Sequence, residues 1–159
     1  MNNTDRAIMK MLRDMSGQAQ KQRVYLVNGA PGSGKTSFVK SKVRPDDLVL
    51  DLDYITAALA LDDSLYGDRK PQLDVALAVR DTILGKVERR EGHWSKAYII
   101  TTERDSQKVK QLAERLNAEI VKMDASESQC IERIRNDTRR SAVADRHIEL
   151  VNEWFQLPK

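Results

Sequence analysis

Eight consecutive residues, Gly29-Ala30-Pro31-Gly32-Ser33-Gly34-Lys35-Thr36, carry the clearest chemistry in the sequence. They match G-x-x-x-x-G-K-[ST] in full, the pattern of a loop that binds phosphate. The spacing has a physical reason. Glycines let the backbone curl tightly and turn successive N–H groups inward, where they cradle phosphate oxygens. A helix expected from Lys35 onward adds the positive end of its dipole, and Ser37 in its first turn completes the binding stretch. Lys35 is expected to reach the β and γ phosphates, and the Thr36 hydroxyl to ligate Mg²⁺. The apolar run Arg23–Asn28 stands before the loop and a helical pattern after it, as the motif requires. Nucleotide binding is the first expectation.

Two carboxylates come next. A second apolar run closes in Leu50-Asp51-Leu52-Asp53, and residues at i and i+2 of a strand face the same way, so both acids are expected to project together. Asp53 could accept a proton from an attacking hydroxyl. It also stands where an N-cap belongs for a helix expected over 54–62, and the two roles are compatible. Asp51 could hold Mg²⁺ through water or orient Asp53. Further along, Arg133, Arg135, Arg139 and Arg140, with Arg146 beyond, suit a lid whose positive charge meets a transferring phosphoryl group. The interleaved Glu132 and Asp137 equally suit a solvated helix face. A third apolar run leads into Thr101-Thr102-Glu103, whereas hydrolytic P-loop ATPases usually place an Asp there. This weakens a motor or AAA+-type reading, which would also need more chain.

These residues need a scaffold, and the sequence supplies one. Strands are expected over Arg23–Asn28, Asp47–Asp51, Lys96–Thr101 and Glu119–Met123, each a short apolar run suited to burial on both faces. Helical periodicity fills the intervals, over 35–43, 54–62, 71–91, 106–117, 126–140 and 144–156. Ser126 and Gln129 have capping-box spacing. An amphipathic helix over 4–15 and a polar connector to Gln22 precede the first strand. Alternating strands and helices predict a three-layer α/β fold, with a parallel sheet of about four or five strands flanked by helices. Ligands of such sheets sit beyond the carboxyl ends of the strands.

The bulk numbers agree. A length of 159 residues suits one domain over 1–159, with 1–22 as N-terminal helix and connector and 126–142 as candidate lid. Hydrophobic residues at 40% and charged residues at 32% exclude collagen-like and wholly disordered classes. A net charge of +3 permits an anionic partner without demanding one. A lone cysteine, Cys130, excludes an internal disulfide and a cysteine-cluster metal site, and its apolar neighbours place it in the core. No signal-like or membrane-spanning run occurs, so a cytoplasmic protein is expected.

The chain resembles the small P-loop kinases that include the 5′-kinase domain of bacteriophage polynucleotide kinase and the zeta-toxin-like kinases. Val27-Asn28 with the glycine loop, Asp53-Tyr54-Ile55, Ile99-Ile100-Thr101-Thr102 and Met123-Asp124-Ala125 carry the likeness, in order, from about residue 23 to 155. The resemblance implies transfer of the ATP γ-phosphate, with Mg²⁺, to a substrate hydroxyl. It implies Lys35 and Thr36 as phosphate and Mg²⁺ ligands and Asp53 as general base. Arg133, with Arg139 or Arg140, would be the lid arginines. Three positions depart from the pattern. Thr56 stands where an Arg follows the base by three, Thr102 replaces an Asp, and Arg133 and Arg139 are six apart rather than four.

The acceptor is expected between the second and third strands. There Tyr66-Gly67-Asp68-Arg69-Lys70-Pro71 reads as a loop, with Tyr66 able to stack on a base or sugar and Arg69 or Lys70 able to hold phosphate. The same residues equally suit an ordinary surface loop. A nucleic-acid 5′ end, a nucleoside and a small metabolite all remain open as acceptor. So do a nucleoside monophosphate kinase and a nucleotide-binding regulatory module with little catalysis.

Overall fold

The computed structural model describes residues 4–9 and 22–156. Residues 4–9 are helical; the rest of the helix expected over 4–15, and most of the connector after it, lie outside the described residues. Four strands follow: β1 (Arg23–Asn28), β2 (Leu48–Leu50), β3 (Lys96–Thr101) and β4 (Ala118–Lys122). All pairings are parallel and the order is β2-β3-β1-β4. Val24 lies opposite Ala97 on one side and Ala118 on the other, and Leu48 also opposes Ala97. The helices after β1 are α1 (Lys35–Lys42), α2 (Leu52–Leu59), α3 (Lys70–Glu88), α4 (Ser106–Leu116), α5 (Glu127–Asn136) and α6 (Ala144–Gln156). A 3-10 turn, Thr138–Arg140, separates the last two. The expected three-layer α/β class is the observed one, with four strands.

The period of two along each strand sorts the core onto both faces of the sheet. Val24, Leu26, Ala97 and Ile99 turn to one face and pack with Leu84 and Val87 of α3 and Val109, Ala113 and Leu116 of α4. Tyr25, Val27, Tyr98 and Ile100 turn to the other and meet Phe38 and Val39 of α1. Each fully buried Leu or Val contributes roughly 1.5–3 kcal/mol. A third cluster joins Cys130 and Ile134 of α5 and Val151 of α6 to Ala30 of the glycine loop. Cys130 is buried core, as its neighbours predict.

Most strand and helix ends shift by one to four residues from expectation, and three of the differences have a clear local reason. α2 begins at Leu52, two residues early, because the Asp51 side chain caps it by accepting from the Asp53 amide at 3.0 Å. Asp51 is therefore the cap, and Asp53 is not. The helix expected over 126–140 stops at Asn136, because Asp137 adopts an extended backbone and its carboxylate accepts from the Arg139 amide. α3 ends at Glu88 rather than residue 91, and Arg90, in a left-handed conformation, donates to the carbonyls of Val87 and Leu116. The capping box of Ser126 and Gln129 is formed in both directions.

Candidate active site

The glycine loop leaves β1 where the sheet offers it a seat between two other strands. The Gly29 amide donates to Thr101 at the end of β3, and the Met123 amide beyond β4 donates to Asn28. Asn28, buried, donates from Nδ2 to the Glu103 carbonyl at 2.7 Å. The loop then needs two left-handed residues, Gly32 at φ 74° and Gly34 at φ 93°. A Cβ on Gly32 would stand 2.7 Å from the Cys130 carbonyl oxygen and 3.0 Å from the Ile134 side chain. Only glycine fits between the loop and α5 at that point.

The N-terminus of α1 has no side-chain cap and no acid in its first turn. Its orphan amides and dipole are thus left for an anion. Lys35 Nζ donates to the carbonyls of Gly29 and Ala30, both at 2.7 Å, so its ammonium is folded back onto the loop it serves. Burial lowers its pKa to about 8 against the pull of Asp51 and Asp53. Ser33 Oγ is buried without a hydrogen-bond partner among the described residues. An orphaned hydroxyl, uncapped amides and a lysine held only by carbonyls together fit a phosphate chain.

Thr36 donates from Oγ1 to Asp51 Oδ2 at 3.3 Å, which brings the two expected metal ligands together. The neutral hydroxyl and hard carboxylate oxygen suit Mg²⁺, which takes few protein ligands and completes its shell with phosphate and water. No group of three or more His, Cys, Asp or Glu residues that could hold a metal occurs among the described residues. Burial raises the Asp51 pKa. Asp53 follows in the first turn of α2. Enclosure by the cleft and the neighbouring Asp51 carboxylate push its carboxyl up to about 6, although the side chain still reaches solvent. A base with such a pKa can both hold and release a proton near neutrality.

These groups line a cleft of ≈ 620 Å³ with Pro31, Gly32, Gly34 and Ser37 on one side and Arg133, Arg139 and Arg140 on the other. Arg133 donates from Nη1 to the carbonyls of Ser33 at 3.1 Å and Gly32 at 3.4 Å, so it rests on the loop itself. Arg139 grips Asp137 with Nε and Nη2, each at 2.8 Å, and holds that carboxyl below its usual range. Arg140 reaches Tyr66 and His147. Thr102 also lines the cleft. Arg135 and Arg146 do not, Arg146 being turned to Glu149 and Glu153 on α6.

A second cavity of ≈ 370 Å³ adjoins the first, lined by Leu65, Arg69, Lys70, Leu73, Val143 and Arg146 among others. Leu52, Asp53, Tyr66 and His147 belong to both walls. Of the loop expected over Tyr66–Pro71, Tyr66 to Arg69 line this cavity, while Lys70 and Pro71 open α3. Arg69, however, is buried, its Nη2 bonded to the Ser64 carbonyl and paired with Asp62 at 3.3 Å, while its Nε has no partner among the described residues. Sequence reasoning missed His147. Nothing adjacent in sequence marks it; its only signal is a lone histidine on the inner face of an amphipathic helix.

The sequence family described as AAA domain matches residues 24–158. The chain is similar in structure to a chain of the Pnkp1/Rnl/Hen1 RNA repair complex, at TM-score 0.52 and 14% identity, covering 84% of this chain and 44% of that one. It is also similar to a candidate kinase from Chloroflexus aurantiacus, at TM-score 0.52 and 19% identity, covering 84% and 76% of the two chains. No curated protein matches. The chain thus spans less than half the length of the first of these structures. The likeness to polynucleotide-kinase-type P-loop kinases read from the motifs agrees with these matches. Thr102 directly follows β3, where hydrolytic P-loop ATPases usually carry an Asp. No helix among the described residues is long and apolar enough to cross a membrane.

Proposed function

The chain belongs to the AAA-domain family, and from that premise we propose that it is an ATP-dependent phosphotransferase that moves the γ-phosphate to a substrate hydroxyl. The observation that carries this reading is the position of Asp53, on the wall common to a cleft ending at Lys35 and a second cavity beside the 60–69 loop. A donor in the first and an acceptor in the second would meet at this carboxylate.

Each residue has a part in the proposed step. Amides of Gly32 and of Gly34 to Ser37, with the Lys35 ammonium, hold the phosphates, Lys35 exchanging its two carbonyl partners for phosphate oxygens. Thr36 and Asp51 would hold Mg²⁺, which supplies charge that neutralises phosphate oxygens. Asp53 takes the proton of the attacking hydroxyl as the new O–P bond forms and the bond from the γ-phosphorus to ADP breaks. Arg133, with Arg139 or Arg140, faces the charge that spreads over the phosphoryl oxygens. The segment 126–142 carries these arginines and acts as the lid, and 1–159 acts as one kinase-like unit.

An acceptor screen with labelled ATP tests the proposal. Label is expected on a 5′-hydroxyl oligonucleotide, a nucleoside or another hydroxyl metabolite, and its transfer should depend on Asp53. Label moving instead to a nucleoside monophosphate would reassign the acceptor to a phosphate. Tight ATP binding with no transfer to any acceptor would make the chain a regulatory module and overturn the proposal.

A further inference from the structure

Arg140 is held by three separate segments. Its guanidinium donates from Nε to Asp137 Oδ2 at 3.2 Å, from Nη1 to His147 Nδ1 at 2.8 Å and from Nη2 to the Tyr66 hydroxyl at 2.6 Å. Its central carbon also lies 4.0 Å from the Tyr66 ring centroid, and the His147 ring meets Tyr66 edge-on at 5.5 Å. The partners come from the turn after α5, from α6 and from the 60–69 loop. Only 14% of the Arg140 side chain is exposed, against 56% for Arg139. Arg139, bonded to Asp137 and 5.7 Å from the Tyr66 ring centroid, stays largely in solvent, whereas Arg140 has already lost its rotamer freedom.

We propose that Tyr66 and His147 are positioning residues that fix Arg140 at the nucleotide cleft before nucleotide arrives, making Arg140 the preorganised arginine of phosphoryl transfer. This rests on the kinase reading above. A guanidinium can only donate, so His147 accepts at Nδ1 and carries its proton on Nε2. Burial and the Arg140 charge lower the His147 pKa, which keeps that lone pair available near neutrality. A charge set in place beforehand needs no reorganisation when phosphoryl charge develops. Because Tyr66 also lines the second cavity, the side chain that anchors Arg140 is one that an acceptor would touch.

The test compares binding of ADP with binding of ADP plus aluminium fluoride, a mimic of the transferring phosphoryl group, in the presence of Mg²⁺. The wild-type chain should prefer the fluoride complex. His147→Ala and Tyr66→Phe should each reduce that preference about tenfold, since each removes one acceptor from a charged donor. His147→Asn should restore it, because Asn Oδ1 can replace Nδ1 as acceptor. In an Arg140→Ala background neither change should cost more, because residues that act through one group are not additive. Unchanged preference, or losses that simply add to that of Arg140→Ala, would overturn the proposal. A wild-type chain without preference would overturn the kinase reading and this inference with it. Nitrogen-15 spectra of the imidazole separate the two failures: Nε2–H is expected in the free protein, and a protonated Nδ1 would overturn the positioning geometry on its own.

Discussion

Thr36 Oγ1 stands 3.3 Å from Asp51 Oδ2, joining the first turn of α1 to the cap of α2. Asp51 thus has two tasks, since its other oxygen takes the Asp53 amide. Replacing it with Asn keeps a capping oxygen but removes the charge a divalent cation needs. Asp51→Asn is expected to raise the Mg²⁺ concentration required for half-maximal transfer about tenfold or more, with little change in thermal stability. An unaltered Mg²⁺ requirement would remove Asp51 from the metal site.

Lys35→Ala should weaken ATP binding about 100-fold and leave the circular dichroism spectrum unchanged. Among the described residues the ammonium is bonded to two loop carbonyls, so its loss withdraws a phosphate partner without opening the core. Because burial holds its pKa near 8, the charged form declines as pH rises through that value, and ATP affinity should decline with it. Affinity that stays level from pH 7 to 9.5 would count against Lys35 as the phosphate ligand.

Gly32→Ala is expected to abolish nucleotide binding. The new Cβ would meet the Cys130 carbonyl at 2.7 Å, at a residue whose φ of 74° an L side chain rarely adopts. Strain of about 1–3 kcal/mol falls on the loop rather than on the sheet. A folded protein that no longer retains ATP is the expected result of equilibrium binding, and retention at wild-type affinity would show that the loop can relax around a side chain.

What the sequence made legible follows from how local each feature is. The glycine loop is contiguous, and its chemistry dictates its composition, so all of its residues could be named in advance. The strands and the capping box at Ser126 were legible for the same reason. The passing of the capping role from Asp53 to Asp51 was not. Either acid satisfies capping preference, and the choice depends on which carboxylate the emerging backbone brings to the Asp53 amide. Arg140, Tyr66 and His147 were harder still. Arg140 and Tyr66 are 74 positions apart, and three loops must be placed before their contact exists. The strand order also lay beyond spacing, because any of several orders satisfies the alternation of strands and helices.

Asp53→Asn should slow transfer by about 10²–10⁴, the usual worth of an acid–base group. Wild-type turnover should rise with pH and level off above about 6, where the carboxylate becomes the main form. Stability provides a separate check on the same group. Its folded pKa lies above the model-compound value of 3.8 because enclosure and Asp51 disfavour the charge. The native state therefore holds a proton that the unfolded chain releases, and ionised Asp53 opposes folding. Below about pH 4 both states are protonated and Asn gains nothing over Asp. As pH rises through 6 the native carboxyl must ionise, so the nucleotide-free Asp53→Asn variant should melt progressively above wild type. Water reaches the side chain, which limits the gap to a few degrees. Melting curves of the two proteins from pH 4 to 7.5 decide the matter: a gap that narrows with rising pH would reverse the sign and place Asp53 in a setting that favours its charge.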